Sequence, residues 1–388
     1  MIPYTKQWIH DSDIQQVCQT LGADFLTTGP QVERFEASLC KRTGAKHAVA
    51  CSSGTTALHL ACMAVGISSD DIGLTSPNSF LASANCIELC GGRADFVDID
   101  PGTLCMDTRA LEQYCRTHPL PRVVIPVDFA GTPADLPAIQ NLAQKYGFSV
   151  IEDAAHAIGS VYTHDGRTFP CGSCAHTDLA IFSFHPAKTI TCGEGGAVMT
   201  NDDHLADTLR SLRNHGMVKP VDLTAAGKDS DLHGPWYYEM HTLSSNFRIT
   251  DFQCALGNSQ LRHIEQFRDL RQKIVRTYNR AFKDDDRLIL PPTALAENAC
   301  PHLYPIQFTR GSQVRKQVYQ GLLDQGISCQ VHYIPIYLQP YYAKKYAYAQ
   351  GKCPKAENYY ARALSLPLFA ALTPDQVDHV IAAVKSLV

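Results

Sequence analysis

From residue 46 to residue 200, short apolar runs alternate with longer segments whose apolar residues recur at helical spacing. Runs of that length, bounded by Gly, Pro and polar clusters, read as buried strands, and the periodic segments between them as helices. The pattern predicts strands over 46–51, up to Pro77, and over 94–99, 122–129, 148–151, 179–184 and 197–200. It predicts helices over 11–21, 32–43, 57–65, from near Ser79, over 108–117 and over 135–146. Asp11 or Ser12 is a suitable cap for the first. Strands that alternate with helices are the signature of parallel βαβ units. The predicted class is therefore α/β, with ligands at the carboxyl ends of the strands.

The pattern changes further on. Residues 216–245 have no clear period and carry Pro220, Gly227, Gly234 and Pro235, then Trp236-Tyr237-Tyr238. Such a segment is either mobile or a functional flap. A helix starts at 251–257, and a long amphipathic pattern runs from Gln260 to about Phe282. Beyond it come a strand at 303–309, a helix at 312–325 closed by Gly326, a strand at 328–333 and a terminal helix at 374–388. Thr373 is a good cap for that helix, with Pro374 at its first position. These patterns predict a large domain over 1–255 and a smaller one over 256–388.

Composition narrows the function classes. A length of 388 residues with 45% hydrophobic and 19% charged content suits a globular enzyme with a large core. The net charge is −4, with no basic block and no basic-aromatic stripe, which argues against nucleic-acid binding. No charged-then-apolar leader and no bilayer-length run is present, so no membrane role and a cytoplasmic location are expected. The fifteen cysteines are scattered rather than framed, and read as reduced thiols. Cys171-Gly172-Ser173-Cys174, with His176 nearby, is the sharpest cysteine pattern. Zinc would need a second ligand pair at matching spacing, and the sequence offers none, so no metal is expected.

Three stretches carry candidate chemistry. Lys188 stands between the strands 179–184 and 197–200, beside Gly193, Gly195 and Gly196. A lysine desolvated at a strand end has a lowered pKa and a nucleophilic amine, as an internal Schiff base requires. A surface lysine in a hairpin is the other reading, and this stretch alone does not choose between them. Upstream, 150–157 reads as a strand end followed by Asp153 and His156. A carboxylate facing a pyridine nitrogen keeps it protonated and makes the ring an electron sink. Earlier still, Ser52-Ser53-Gly54-Thr55-Thr56 opens a helix, an anion site by its backbone N–H groups and dipole. Phosphate cradle, pyridinium partner and lysine, in that order, describe a pyridoxal phosphate pocket.

Four motifs then agree with one family. Ser53-Gly54-Thr55-Thr56, Glu152-Asp153-Ala154-Ala155-His156, Ser183-Phe184-His185-Pro186-Ala187-Lys188 and Gly193-Glu194-Gly195-Gly196 together resemble the DegT/DnrJ/EryC1/StrS nucleotide-sugar aminotransferases, over nearly the whole chain. The resemblance implies the fold type I, aspartate aminotransferase-like architecture of pyridoxal phosphate enzymes: a large, mainly parallel sheet domain and a smaller α+β C-terminal domain. It implies pyridoxal 5′-phosphate on Lys188, with Asp153 at the ring nitrogen and His156 at the ring oxygen. Gly54, Thr55 and Ser183 would bind the phosphate, and Phe80 would stack on the ring. Ser245-Asn246-Phe247-Arg248 resembles the motif by which one subunit of a homodimer reaches its neighbour's cofactor phosphate (Asn246) and sugar-nucleotide pocket (Arg248). Glutamate is the implied amino donor.

Met1 to Tyr4, Asp24 to Pro30, and His332 to Pro335 with Leu338 to Tyr342 are most similar to members acting in pseudaminic acid biosynthesis. They imply a UDP-linked 4-keto-6-deoxy-N-acetylhexosamine, met by Thr27, His332 and Tyr333 as well as Arg248. Other readings stay open: a dTDP- or GDP-linked keto sugar, a pyridoxal phosphate lyase, or a non-catalytic regulator. The family's dehydratases carry histidine in place of the lysine, so Lys188 argues against them.

Overall fold

The computed structural model describes residues 1–219 and 236–388. Pro220, Gly227, Gly234 and Pro235 lie outside the described residues.

In chain order the first part runs α1 (Asp11–Leu21), α2 (Pro30–Thr43), β1 (His47–Cys51), α3 (Gly54–Ala64), β2 (Ile72–Thr75), α4 (Ala82–Leu89), β3 (Arg93–Phe96), α5 (Thr108–Thr117), β4 (Val123–Ile125), α6 (Leu136–Tyr146), β5 (Ser149–Asp153), β6 (Val161–His164), β7 (Arg167–Pro170), β8 (Leu179–Ser183), β9 (Gly196–Thr200) and α7 (Asp203–Arg213). Seven of these strands form one sheet, in the order β1-β9-β8-β5-β4-β2-β3. The five from β8 to β3 are parallel to their neighbours, as the alternating pattern predicts. β9 is antiparallel to both β1 and β8. It follows β8 after a short loop, and only a helical crossover would have returned it parallel. The strands 179–182 and 197–200 are buried on both faces, which is why they read as continuous apolar runs.

Several boundaries differ from the pattern. The helix cap at residue 10 is His10 rather than Asp11 or Ser12, and Asp13 Oδ2 accepts from the His10 N–H at 2.9 Å. The run 122–129 is a strand only to Ile125; Pro126 cannot donate, and Phe129–Gly131 makes a single 3₁₀ turn with Ala130 and Gly131 at positive φ. The run 94–99 leaves the sheet after Phe96. The segment 328–333 is not a strand: only Gln330 bridges Ser365. The place beside Tyr304–Phe308 belongs to Ala363–Leu366, which the pattern missed, as it missed α7.

Tyr304–Phe308 pairs with Ala363–Leu366 on one side and Leu288–Ile289 on the other, giving a three-stranded antiparallel sheet. Helix Pro374–Leu387 starts at Thr373, whose hydroxyl accepts from the Gln376 N–H, with Pro374 at its first position. The division proposed at 255 falls within helix Asp251–Leu261. In the aperiodic region, Met217–Val218 pairs with Glu239–Met240. Among the described residues no helix is long and apolar enough to cross a membrane.

Candidate active site

The strand ends converge on a cavity of about 490 Å³. β1 delivers Ser53, Gly54 and Thr55 to it, β5 delivers Asp153, and β8 delivers Ser183 and the loop to Lys188. This placement at the carboxyl ends of strands is what a doubly wound sheet dictates.

The cradle at α3 is built by close approach. Ser53 caps the helix, its hydroxyl accepting from the Thr56 N–H at 3.1 Å. The N–H groups of Gly54 and Thr55 are left for a ligand, at the positive end of the helix dipole. A Cβ on Gly54 would lie 2.6 Å from Ser183 Cβ and 2.8 Å from its Oγ. A Cβ on Gly196 would lie 2.3 Å from the Ser53 carbonyl oxygen. Glycine at both positions lets β8, β9 and the first turn of α3 share one corner.

Asp153 ends β5 and is buried. Its Oδ2 accepts from Ser83 Oγ at 2.6 Å and its Oδ1 from the Ala155 N–H at 3.2 Å. Burial raises its pKa, while those two bonds and Lys188 oppose the rise. A protonated ring nitrogen beside it would restore the ionised form.

Lys188 keeps partial exposure to the cavity, but is enclosed enough that desolvation brings its amine down to about 8, against the pull of Asp153. Three buried histidines stand in the cavity wall, His156, His302 and His332, with the exposed His185 at its mouth. Burial holds His156 and His302 well below the usual imidazole range, and brings His332 down to about 4. All three are neutral at pH 7. The Ala130 N–H donates to His156 Nδ1 at 3.3 Å, which leaves the ring proton on Nε2, 3.3 Å from the Tyr333 hydroxyl. His332 Nδ1 lies 2.8 Å from Ser365 Oγ.

The expected residues divide into two groups. Gly54, Thr55, Phe80, Asp153, His156, Ser183, Lys188, His332 and Tyr333 all line the cavity. Phe80 is 56% exposed at its rim, its ring 6.4 Å from that of Tyr333. Thr27, Asn246 and Arg248 do not line it. Thr27 bridges Thr250, Asn246 bridges Asn214, and Arg248 Nη1 bonds Asn214 Oδ1. Two wall residues were missed in the sequence, Ser83 and His302. The polar pair Ser79 and Ser83, one helical turn apart, was a signal for the first. His302 packs on His156 with ring centroids 4.3 Å apart, and nothing local announces it.

The model of the DegT/DnrJ/EryC1/StrS aminotransferase family matches residues 7–385. The chain belongs to this family. The spore coat polysaccharide biosynthesis protein SpsC of Bacillus subtilis is 38% identical, over all of this chain and 97% of its own length. The UDP-4-amino-4,6-dideoxy-N-acetyl-β-L-altrosamine transaminase of Campylobacter jejuni is 35% identical, over 95% of this chain and 92% of its own. Among solved structures, Helicobacter pylori PseC, an aminotransferase of pseudaminic acid biosynthesis, superimposes with a TM-score of 0.90 at 30% identity, covering 100% of this chain and 98% of that one. NtdA from Bacillus subtilis, solved with bound cofactor PMP, superimposes at 0.83 with 26% identity, covering 98% of this chain and 82% of that one. The protein is thus a sugar aminotransferase of fold type I, and its cofactor is pyridoxal 5′-phosphate. The cavity fits that group: one desolvated amine, one buried carboxylate and one helix N-terminus stripped of side chain by Gly54.

Proposed function

We propose that this chain is a pyridoxal phosphate-dependent nucleotide-sugar aminotransferase. It moves an amino group from glutamate to the C4 keto group of a UDP-linked 4-keto-6-deoxy-N-acetylhexosamine, for pseudaminic acid or a related surface sugar. The observation that carries the reading is that Lys188, Asp153 and the open N-terminus of α3 face one cavity. The altrosamine transaminase of Campylobacter jejuni supports the choice of sugar.

The cofactor would supply an electron sink for the pair left by the donor's α-proton and a carrier for the amino nitrogen. Lys188 Nζ holds the cofactor between turnovers, and once displaced it moves the proton as general acid and base. An amine lowered to about 8 has a useful neutral fraction near pH 7, and three neutral histidines add no competing charge. Asp153 keeps the ring nitrogen protonated, with Ser83 fixing its orientation. Gly54, Thr55 and Ser183 would hold the phosphate, His156 would meet the ring oxygen and Phe80 would stack on the ring. His332 and Tyr333 take the sugar side. Asn246 and Arg248 complete the pocket of the neighbouring subunit in a homodimer, Thr27 forms an edge of the substrate pocket, and the enzyme works in the cytoplasm.

The test is to prepare the pyridoxamine form and screen UDP- and dTDP-linked 4-keto sugars for return of the starting absorbance. Turnover of the UDP-linked 4-keto-6-deoxy-N-acetylhexosamine is expected, and a marked preference for dTDP sugars would refute that substrate. A second reading, amination of a different nucleotide-linked keto sugar, is favoured by the higher identity to SpsC, named for spore coat polysaccharide. No turnover of any keto sugar would leave a non-catalytic cofactor binder.

A further inference from the structure

The sequence left Cys171-Gly172-Ser173-Cys174 without a second pair of metal ligands. The fold brings one from elsewhere in the chain. Asp128 follows β4, and Glu152 precedes Asp153 on β5, so that its side chain points to the other face of the sheet from Asp153. The two carboxylates and the Cys171 thiol bring one ligand atom each to within 4.8 Å of one another, and all three residues are buried. Both Glu152 oxygens accept from the Gly172 N–H, at 3.1 Å each. Asp128 Oδ1 accepts from the Ala134 N–H at 2.9 Å. Asp128 Oδ2 has no partner, although the residue is fully enclosed. Burial raises the pKa of all three groups, and the Asp128 carboxylate adds to the rise at Glu152 and at Cys171.

We propose that Asp128, Glu152 and Cys171 form a binding site for one divalent cation of the zinc class, separate from the cofactor cavity. Three acidic groups in an apolar interior must be neutralised by protons or by a cation. The Asp128 and Glu152 carboxyls lie against each other and against the Cys171 thiol, so a shared proton is the occupant that competes with a cation. Ligands about 2.0–2.3 Å from a tetrahedral ion stand roughly 3.4–3.7 Å apart, a spacing that the cluster accommodates. The thiolate selects zinc over magnesium or calcium, which prefer oxygen alone. A second cavity, of about 190 Å³, abuts the thiol and is lined by Arg42, Thr43, Ser160, Pro170 and Cys171. It gives the ion a way in and a water as fourth ligand.

The site has a structural consequence for the cofactor pocket. The Asp128 N–H donates to the Asp153 carbonyl at 3.1 Å, and the Asp153 N–H to the Pro126 carbonyl at 2.8 Å. An ion held by Asp128 and Glu152 therefore ties the end of β4 to the end of β5, directly behind the carboxylate that faces the cofactor ring.

The experiment strips the purified holoenzyme with a chelator, then titrates it with Co²⁺ and, separately, with Zn²⁺. Wild type is expected to take up about one ion per chain, to show thiolate-to-cobalt absorption, and to melt at a higher temperature with Zn²⁺. Cys171→Ala should lose the absorption and the bound ion. Cys174→Ala, which leaves the cluster intact, should keep both. Should Cys171→Ala not fold, Asp128→Asn serves in its place, with a lowered cobalt affinity expected. Wild type without cobalt absorption, or absorption that survives in Cys171→Ala, would overturn the proposal and leave the cluster neutralised by protons.

Discussion

Ser83 donates its hydroxyl to Asp153 Oδ2 at 2.6 Å, from the first turn of α4 to the end of β5. Ser79 Oγ lies 2.7 Å from Ser83 Oγ, so a short hydroxyl chain ends on the carboxylate. A hydrogen bond to a charged group is worth about 1.5–3 kcal/mol. Ser83→Ala should slow the single-turnover reaction with glutamate by roughly tenfold or more, a factor of ten being about 1.4 kcal/mol. Asp153→Asn should slow it much further while cofactor affinity drops less. Stopped-flow absorbance with equilibrium dialysis separates the two quantities. An unchanged half-reaction in Ser83→Ala would make that hydroxyl a packing group only.

Lys188 gives three predictions. Borohydride should fix the cofactor covalently to wild type and not to Lys188→Ala, read by mass spectrometry. In the cofactor-free protein the amine sits at about 8, below the ordinary 10.5. The unfolded chain then binds more protons than the folded one between those values, so Lys188 weakens the fold fully below pH 8. That penalty is relieved as pH rises from about 8 toward the ordinary lysine value. Cofactor-free Lys188→Met should melt above wild type at pH 7, with the gap closing over this window. Capture of added cofactor by wild type should speed up through pH 8 and level off beyond it.

Gly54→Ala tests the cradle. The new methyl would sit 2.6 Å from Ser183 Cβ, and neither β8 nor α3 has room to move away. Overpacking of this kind costs about 1–3 kcal/mol. The melting temperature should fall, and cofactor affinity should fall more than in Thr55→Ala, as isothermal titration would measure.

Asn246 and Arg248 lie outside the cavity of their own chain, which makes subunit exchange informative. A two-fold interface is reciprocal, so each motif would serve the other subunit's Lys188. Lys188→Ala chains mixed and reassembled with Asn246→Ala chains should recover part of the wild-type activity. One site in the hybrid then lacks both groups and the other is whole. If Asn246 serves its own subunit, every hybrid site carries a lesion and no activity returns.

What the sequence revealed follows from distance along the chain. Gly54, Asp153 and Lys188 were legible because each stands next to an apolar run and beside a glycine or small-residue break. Ser83 and His302 were not, because their partners Asp153 and His156 are far away in sequence and only the sheet brings them close. Cys171 stood out in its own motif, but its closeness to Asp128 and Glu152 escaped for the same reason. The segment 328–333 misled because its alternation is a strand's, while Ala363–Leu366 takes the hydrogen bonds. Asn246 and Arg248 make local bonds that a pattern of single residues cannot separate from a role across subunits.

The antiparallel strand β9 also sets an order of assembly. Among the described residues β1 lies at the sheet edge and pairs with β9 alone, about 150 residues later in the chain, a long loop to close. On the ribosome, β1 waits unpaired while five strands that neighbour one another are completed. Ser53 and Gly54 follow β1 directly and meet Gly196 at the start of β9. The phosphate cradle and the two strands that hold the Lys188 loop are therefore finished in the same event. A chain cut before residue 196 would lack the strand that joins β1 to β8, and with it the corner in which Gly54, Ser183 and Gly196 meet.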